Sequence, residues 1–149
     1  MADIIEKTRT NAAPEVTSRN PRAAATTRVL LVEDEPSTAE VFERALGRDG
    51  YEIELVRDGL QALRRLQERP PSLVIMDLSL PTVSGVDVVR ALRRRGEQVP
   101  VLIVSGSQPW QCSLTDAELQ PGRWLTKPVK PRELLQVARE LITGDGDGR

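Results

Sequence analysis

Polar residues that could do chemistry follow four separate apolar runs along the chain. Glu33 and Asp34 follow RVLLV, Asp77 follows LVIM, Ser105 follows VLIV and Lys127 follows RWLT. Carboxylates, a hydroxyl and an ammonium group can together bind a divalent cation and an anionic group beside it. Such chemistry requires that the fold bring these four places together.

The crowding of acids is itself informative. If their loops meet, Glu33, Asp34 and Asp77 would each repel the others by on the order of 4 kcal/mol per pair, at about 4 Å and an effective dielectric constant near 20. Such a site must either raise a pKa or hold a cation. Oxygen ligands without histidine or cysteine suit Mg²⁺ or Mn²⁺. We therefore predict that Glu33 and Asp34 hold a metal, whereas Glu35 serves the start of the following helix.

Composition excludes several other kinds of chemistry. The chain of 149 residues contains no histidine, which removes histidine-based acid–base catalysis and the usual zinc sites. A single cysteine, Cys112, excludes an intramolecular disulfide and a multi-cysteine metal cluster. The net charge of −1 gives no bulk attraction to nucleic acid or an anionic membrane. No apolar run approaches the roughly 18 residues of a membrane span. From the charge and the run lengths together, we expect a cytoplasmic protein that binds neither nucleic acid nor membrane.

Hydrophobic periodicity predicts a regular alternation of strands and helices. Strands are predicted over residues 28–33, 51–56, 73–76, 101–104 and 123–126. Helices are predicted to begin at Pro36, near Leu60, after Ser84 as N-cap, and at Glu133. This alternation implies right-handed crossovers and a parallel sheet with helices on both faces. In such sheets, ligands bind beyond the carboxyl ends of the strands, where the polar residues stand.

The region from 107 to 122 breaks the alternation. Its sequence, SQPWQCSLTDAELQPG, contains Pro109 and Pro121 and many polar residues. Because proline costs about 3 kcal/mol inside a helix, we predict a fourth helix that is short, displaced or mobile. Residues 1–27 are predicted to be a flexible arm and residues 144–149 a disordered tail.

Each polar residue also has an ordinary structural explanation when taken alone. Asp34 could cap the next helix, Ser105 could belong to a turn, and Lys127 could be a solvated loop residue. The basic run 93–95 is interpreted as a solvated helix end that the helix dipole favours, with a docking patch as the alternative. Trp110 fits either an exposed contact or a buried filler. The joint pattern at four strand ends, rather than any single residue, favours a site.

That joint pattern resembles a known family. The stretches LLVEDE, LVIMDLSLPTVSG, VLIVSGS and WLTKP have the order and approximate spacing of the receiver domain of bacterial two-component response regulators. The resemblance covers about residues 28–143 and implies an α/β, flavodoxin-like (βα)5 fold with a five-stranded parallel sheet. It also implies transfer of a phosphoryl group from a phosphohistidine to an aspartate, with Mg²⁺ or Mn²⁺ as cofactor.

The resemblance also implies roles for individual residues. Asp77 is the expected phosphoacceptor and a metal ligand alongside the two acids after the first strand, and the backbone carbonyl of Ser79 is a further expected ligand. Lys127 offers a positive charge to one phosphoryl oxygen, and the Ser105 hydroxyl binds another. Ser105 and Trp124 are the expected switch, in which the aromatic side chain follows the hydroxyl toward the phosphoryl group. The alternative for Trp124 is a packing role over the fifth strand.

Two loop features accompany these roles. Gly85 is expected to shape the loop after Asp77 because glycine can adopt φ > 0. The bond between Lys127 and Pro128 is predicted to be cis, as it often is in the family.

A sensor histidine kinase or histidine phosphotransfer protein is the implied phosphodonor, and a downstream protein is the implied target. We expect a stand-alone receiver, a monomer or weak dimer, that catalyses only its own phosphorylation and dephosphorylation and is not otherwise an enzyme. The alternative is a receiver-fold scaffold that binds a partner independently of phosphorylation. A flavin or nucleotide binder is disfavoured because acids stand where a glycine-rich loop would be, and a haloacid-dehalogenase-like phosphatase because EDEPS supplies no DxD directly after the first strand.

Overall fold

Aliphatic and β-branched residues follow one another in three of the five strands, whereas EIELV alternates with glutamates and GRWLT is mixed. In the computed structural model, which describes residues 27–144, the strands are β1 (Arg28–Val32), β2 (Glu52–Val56), β3 (Leu73–Met76), β4 (Val101–Ser105) and β5 (Gly122–Thr126). Each predicted strand is confirmed, with bounds that differ by at most one residue. The arm predicted at 1–27 and the tail predicted at 144–149 lie outside the described residues, apart from one residue at the inner end of each.

All neighbouring strands are parallel, and their order across the sheet is β2-β1-β3-β4-β5. β3 and β4 are buried along their whole length, as continuous apolar runs covered on both faces should be. β2 lies at an edge of the sheet, and its residues change from exposed at Glu52, through half-buried, to buried at Val56. The predicted α/β fold with a five-stranded parallel sheet is confirmed.

Helices cover both faces of this sheet. They are α1 (Pro36–Arg48), α2 (Gly59–Glu68), α3 (Gly85–Arg94), α4 (Asp116–Leu119) and α5 (Pro131–Thr143). The side chains of Glu35, Asp58 and Ser84 accept hydrogen bonds from backbone N–H groups in the first turns of α1, α2 and α3. The predicted caps at Glu35 and Ser84 are confirmed.

Each face of the sheet buries its own apolar core. α2 and α3 cover one face, where Leu66 and Val89 are fully or almost fully buried. α1 and α5 cover the other face, with Phe42 and Leu134 inside. Burying one such side chain stabilises a fold by about 1.5–3 kcal/mol. The two cores therefore fix the strands, and hence the residues at their ends, relative to one another.

The segment between β4 and β5 is irregular. A 3-10 turn at Pro109–Gln111 is followed by α4, which has only 4 residues. The prediction of a short fourth helix is therefore confirmed: Pro109 lies in the 3-10 turn, and Pro121 closely follows the end of α4. Among residues 27–144, no helix is both long enough and apolar enough to span a membrane.

Candidate functional site

The carboxyl ends of four strands carry the residues predicted to do chemistry. Glu33 and Asp34 follow β1, Asp77 follows β3, Ser105 ends β4 and Lys127 follows β5. Since β3 pairs with both β1 and β4, and β4 pairs with the edge strand β5, these polar residues stand on four neighbouring strands. Their convergence is a consequence of strand order.

Three carboxylates form an acidic cluster at this edge. One oxygen each of Glu33, Asp34 and Asp77 lies within 4.8 Å of the others. Glu33 and Asp77 are only 2% and 8% exposed, whereas Asp34 is open to solvent. Burial raises the pKa of Glu33 above its ordinary value, even though its Oε2 accepts a hydrogen bond from Glu35 N–H at 3.1 Å. The acidic cluster thus concentrates negative charge where water screens it poorly.

Lys127 brings a positive charge to the acidic cluster. Its Nζ lies 2.8 Å from Asp77 Oδ2 and 3.5 Å from Glu33 Oε1. Burial alone would lower the pKa of Lys127, but its hydrogen bond to Asp77 and the charges of both carboxylates raise that pKa above its ordinary value. The cis bond predicted between Lys127 and Pro128 is confirmed. The lysine therefore stands as a cation at the Asp77 carboxylate.

The donors of the acidic cluster fit a small, hard cation. Mg²⁺ and Mn²⁺ prefer oxygen ligands, and the acidic cluster offers three carboxylates whose oxygens lie within 4.8 Å of one another. The single positive charge of Lys127 offsets only part of their charge. The acidic cluster could therefore hold a divalent metal ion, and the predicted additional ligand, the carbonyl of Ser79, stays a prediction.

The loop after β3 is built closely around Asp77. Ser79 N–H donates to Asp77 Oδ1 at 3.0 Å, so each oxygen of this carboxylate has a donor. Gly85 N–H donates to Leu78 O at 3.0 Å, and a Cβ at Gly85 would lie 2.7 Å from Asp77 O. The predicted φ > 0 at Gly85 is wrong, since its φ is not positive. Glycine is required there because the backbone at Asp77 and Leu78 approaches too closely for a side chain. The loop residue that does have positive φ is Thr82.

Ser105 and Trp124 are linked through the backbone of Ser107. The buried Ser105 Oγ accepts a hydrogen bond from Ser107 N–H at 3.1 Å. The indole N–H of Trp124 donates to Ser107 O at 3.1 Å, while its side chain packs partly against the core under α2 and α3. Trp124 therefore has the packing role named as the alternative and also a direct connection to the loop that follows Ser105. This connection was not predicted from the sequence, although a partly buried indole N–H, which phenylalanine lacks, usually finds an acceptor.

Two arginines of α3 have a role that the sequence did not reveal. Arg93 donates hydrogen bonds at 2.8–3.1 Å to four backbone carbonyl oxygens, those of Glu97, Val99, Glu118 and Pro121. Arg90 pairs with the Glu118 carboxylate at 3.1 Å and so also reaches α4. The interpretation of residues 93–95 as a solvated helix end is wrong for Arg93, although Arg94 is exposed. Trp110, for which two interpretations were open, is 79% exposed.

Comparison with known proteins gives a family match. The chain matches the response regulator receiver domain over residues 29–139. It is 33% identical over 131 residues to the alkaline phosphatase synthesis transcriptional regulatory protein SphR of Synechococcus elongatus, covering 82% of this chain and 51% of that protein. It is 36% identical over 121 residues to the sensory transduction protein RegX3 of Mycobacterium tuberculosis, covering 81% and 53%. The chain thus spans about half the length of the curated relatives it matches.

Solved structures give the same result. The chemotaxis response regulator CheY4 of Vibrio cholerae superimposes with a TM-score of 0.71 at 28% identity, covering 78% of this chain and 98% of that one. The response regulator TrrA of Thermotoga maritima, solved in complex with Mg²⁺ and BeF, gives 0.69 at 25% identity, covering 78% and 99%. The family match includes every strand end that carries the acidic cluster and Lys127, and the chain therefore belongs to the response-regulator receiver-domain family.

Proposed function

We propose that the chain is a phosphoacceptor that receives a phosphoryl group on Asp77 from the phosphohistidine of a sensor kinase or phosphotransfer protein. The observation that carries this proposal is the 2.8 Å contact between Lys127 Nζ and Asp77 Oδ2 beside the buried Glu33. An ammonium group at that carboxylate can bind an oxygen of an incoming phosphoryl group. Glu33, Asp34, Asp77 and the carbonyl of Ser79 would hold Mg²⁺ or Mn²⁺, which supplies charge neutralisation between two anions when bound.

The transfer exchanges one bond to phosphorus for another. A carboxylate oxygen of Asp77 attacks phosphorus while the phosphorus–nitrogen bond to the donor histidine breaks, and the leaving imidazole nitrogen keeps the electron pair. Ser79 N–H holds the Asp77 carboxylate in place through its hydrogen bond to Oδ1. Lys127 neutralises one phosphoryl oxygen and the Ser105 hydroxyl donates to another, which supplies the positioning that phosphoryl transfer requires.

An aspartyl phosphate would change the partners of Ser105 and Trp124. Phosphorylation adds negative charge and strong acceptor oxygens beside the Ser105 hydroxyl. Movement of Ser105 toward them would disturb its 3.1 Å hydrogen bond with Ser107, whose carbonyl also accepts from Trp124. The loop after β4 and the Trp124 side chain would therefore respond together, and a downstream protein would recognise the altered surface.

Binding to nucleic acid is known by name for one relative of this chain. A relative named the DNA-binding response regulator MtrA, from Mycolicibacterium smegmatis, is 33% identical over 120 residues, and this chain covers 52% of it. The expectation that this chain binds no nucleic acid therefore stays a prediction. Its cytoplasmic location, its monomeric or weakly dimeric state and its lack of any other enzymatic activity also stay predictions.

Incubation with Mg²⁺ and acetyl phosphate tests the proposed function. We expect the wild-type chain to gain one phosphoryl group by mass spectrometry, and the D77N variant to gain none because an amide replaces the nucleophile. D87N is the matched control, since Asp87 is an exposed acid in the first turn of α3. Equal incorporation into D77N and wild type would overturn the proposal.

The scaffold alternative has a different outcome in the same experiment. A folded wild-type chain that accepts no phosphoryl group, and whose tryptophan fluorescence does not respond to Mg²⁺ with BeF₃⁻, would favour partner binding that is independent of phosphorylation. If acetyl phosphate instead labels Asp77, phosphotransfer assays with the histidine kinases of the source organism would identify the physiological donor.

A further inference from the structure

The loop that follows Asp77 is strained at Thr82. This residue has φ 65°, in the left-handed region that β-branched residues avoid. Val83 N–H donates to Pro81 O at 2.9 Å across it, which closes a three-residue γ-turn of the rare, strained kind. Such conformations persist only where the surrounding structure holds them, and they cluster at functional sites.

The hydroxyl of Thr82 connects this turn to the start of α2. Its Oγ1 accepts a hydrogen bond from Leu60 N–H at 3.1 Å. The same hydroxyl lies 2.6 Å from Pro81 O and 3.3 Å from Asp58 Oδ1, the two acceptors for its single proton. The Thr82 side chain is exposed, so packing in the core does not explain why a threonine stands there.

Gly59 brings the two backbones together at the same place. Gly59 N–H donates to Pro81 O at 3.2 Å. A Cβ at Gly59 would overlap the carbonyl oxygen of Val83, so only glycine permits this approach. We call these contacts between residues 58–60 and 81–83 the loop clamp.

The other part of the same loop contacts Asp77 directly. Ser79 N–H donates to Asp77 Oδ1, and Gly85 N–H closes the loop by donating to Leu78 O. Only Leu80 separates Ser79 from the loop clamp, so the clamp leaves the backbone at Ser79 little freedom. We propose that the loop clamp, with Thr82 as its positioning residue, holds Ser79 and, through it, the carboxylate of Asp77.

The expected effect of the loop clamp on Mg²⁺ binding and phosphoryl acceptance rests on the proposed function, whereas its effect on the position of Ser79 does not. If Ser79 supplies a carbonyl ligand and Asp77 accepts the phosphoryl group, loss of the Thr82 hydroxyl weakens Mg²⁺ binding and slows phosphoryl acceptance. The position of Ser79 itself can be measured without metal or phosphodonor. The two proposals can therefore fail independently.

Two variants separate the hydroxyl from the strain. T82G adopts positive φ without cost but has no hydroxyl, whereas T82S keeps the hydroxyl without the branched methyl. T115G is the matched control, because Thr115 also accepts a hydrogen bond from a helix N–H, that of Glu118 at 3.1 Å, but at α4. All three chains are measured at full length by amide hydrogen exchange in metal-free buffer and by titration with Mg²⁺ alone.

We expect Ser79 N–H to exchange at least about 10-fold faster in T82G than in wild type, while T82S and T115G stay close to wild type. We also expect T82G to bind Mg²⁺ about 10-fold more weakly, at the lower end of the effect of removing outer partners of metal ligands. The thermal midpoint should change little in T82G, since relief of strain offsets the lost hydrogen bond. That combination differs from a merely structural role, which would lower the thermal midpoint and leave Ser79 exchange unchanged.

The exchange of Ser79 decides the inference. Equal Ser79 exchange in T82G and T82S would overturn it, as would an equal acceleration in T115G. If Ser79 exchange follows the hydroxyl but wild type accepts no phosphoryl group, the loop clamp stands and the proposed function fails. If wild type is phosphorylated on Asp77 but T82G shows wild-type exchange, the proposed function stands and the loop clamp fails.

Discussion

The strand-end site and the segment between β4 and β5 are held in place by different means. The acidic cluster follows β1 and β3, which are neighbours in the sheet, so strand order brings its carboxylates to one edge. The segment between β4 and β5 is instead tied to α3 by two arginine side chains, Arg90 and Arg93. In this receiver domain, strand order therefore brings the acidic cluster and Lys127 to one edge, whereas side chains tie the adjoining segment to α3.

This difference has a consequence for mutation. A substitution at the strand ends should change phosphoryl acceptance with limited effect on the surface near α4. A substitution at Arg93 should loosen that surface and leave acceptance per folded molecule unchanged. If a strand-end substitution loosens the surface near α4, or an Arg93 substitution lowers acceptance per folded molecule, the two regions are not independent.

Among the substitutions that compare these two regions, K127A is expected to have the largest effect. Removing the ammonium group leaves a phosphoryl oxygen without its donor, and we expect acceptance from acetyl phosphate at saturating Mg²⁺ to fall on the order of 100-fold. K130A is the matched control, because Lys130 is exposed and makes no side-chain cap at the start of α5. Acceptance by K127A within twofold of K130A would remove Lys127 from the site.

The next effect is expected from R93A. Truncation leaves four backbone carbonyl oxygens without their guanidinium donor, and we expect the free energy of unfolding in urea to fall by about 2–3 kcal/mol. R94A, at an exposed position of the same helix, should change it by no more than about 0.5 kcal/mol. Since Asp77 lies on another element, initial rates of phosphoryl acceptance under native conditions should match in R93A and R94A. A selective loss of acceptance in R93A would break the comparison.

A smaller effect is expected from W124F. Phenylalanine keeps an aromatic ring but loses the N–H donor to Ser107 O, and we expect a loss of about 0.5–1 kcal/mol of unfolding free energy. W110F is the control, since Trp110 is 79% exposed. We expect the fluorescence response to BeF₃⁻ to come from Trp124 in β5, so this response should persist in W110F. Loss of the response in W110F would show that it comes from Trp110 in the 3-10 turn.

The same division explains how much could be predicted from the sequence. Unbroken apolar runs such as LVIM identified the three central strands, and the rule for carboxyl ends of parallel strands placed Glu33, Asp77 and Lys127 at one edge. Both signals depend on residue type and chain order alone. The short fourth helix was also predictable, because proline excludes a longer one.

The contacts that could not be predicted depend on side-chain reach and on local backbone geometry. The run 93–95 gave no sign that Arg93 alone turns inward to four carbonyl oxygens, because a flexible guanidinium can reach several places at equal cost. Thr82 gave no sign of positive φ, since propensity argues against it at a β-branched residue. Gly85 was correctly singled out but for the wrong reason, since its lack of a side chain matters there rather than its conformational freedom.

The smallest effect on the free energy of unfolding is expected at Glu35, which caps α1 and directly follows the two acids at the end of β1. Its carboxylate caps α1, and hydrogen bonds from Thr38 N–H and then from Thr38 and Ser37 lower its pKa to about 2. A folded-state pKa below the ordinary value of 4.5 means that the cap stabilises the fold above that pH and loses its effect as the pH falls toward 2. The difference in unfolding free energy between wild type and E35A should therefore be largest near neutral pH and shrink in that acidic window.

E35Q sharpens this test, because glutamine keeps an acceptor oxygen but does not titrate. The difference between E35Q and E35A should stay constant over the same pH range, while that between wild type and E35A shrinks. Glu35 N–H also donates to Glu33 Oε2 at 3.1 Å, and that backbone contact survives in both variants. Mg²⁺ affinity at neutral pH should consequently match wild type in both, because the strand end rather than the helix cap places Glu33. A weaker affinity in E35A alone would show that the start of α1 also positions the acidic cluster, and strand order would then not suffice to build it.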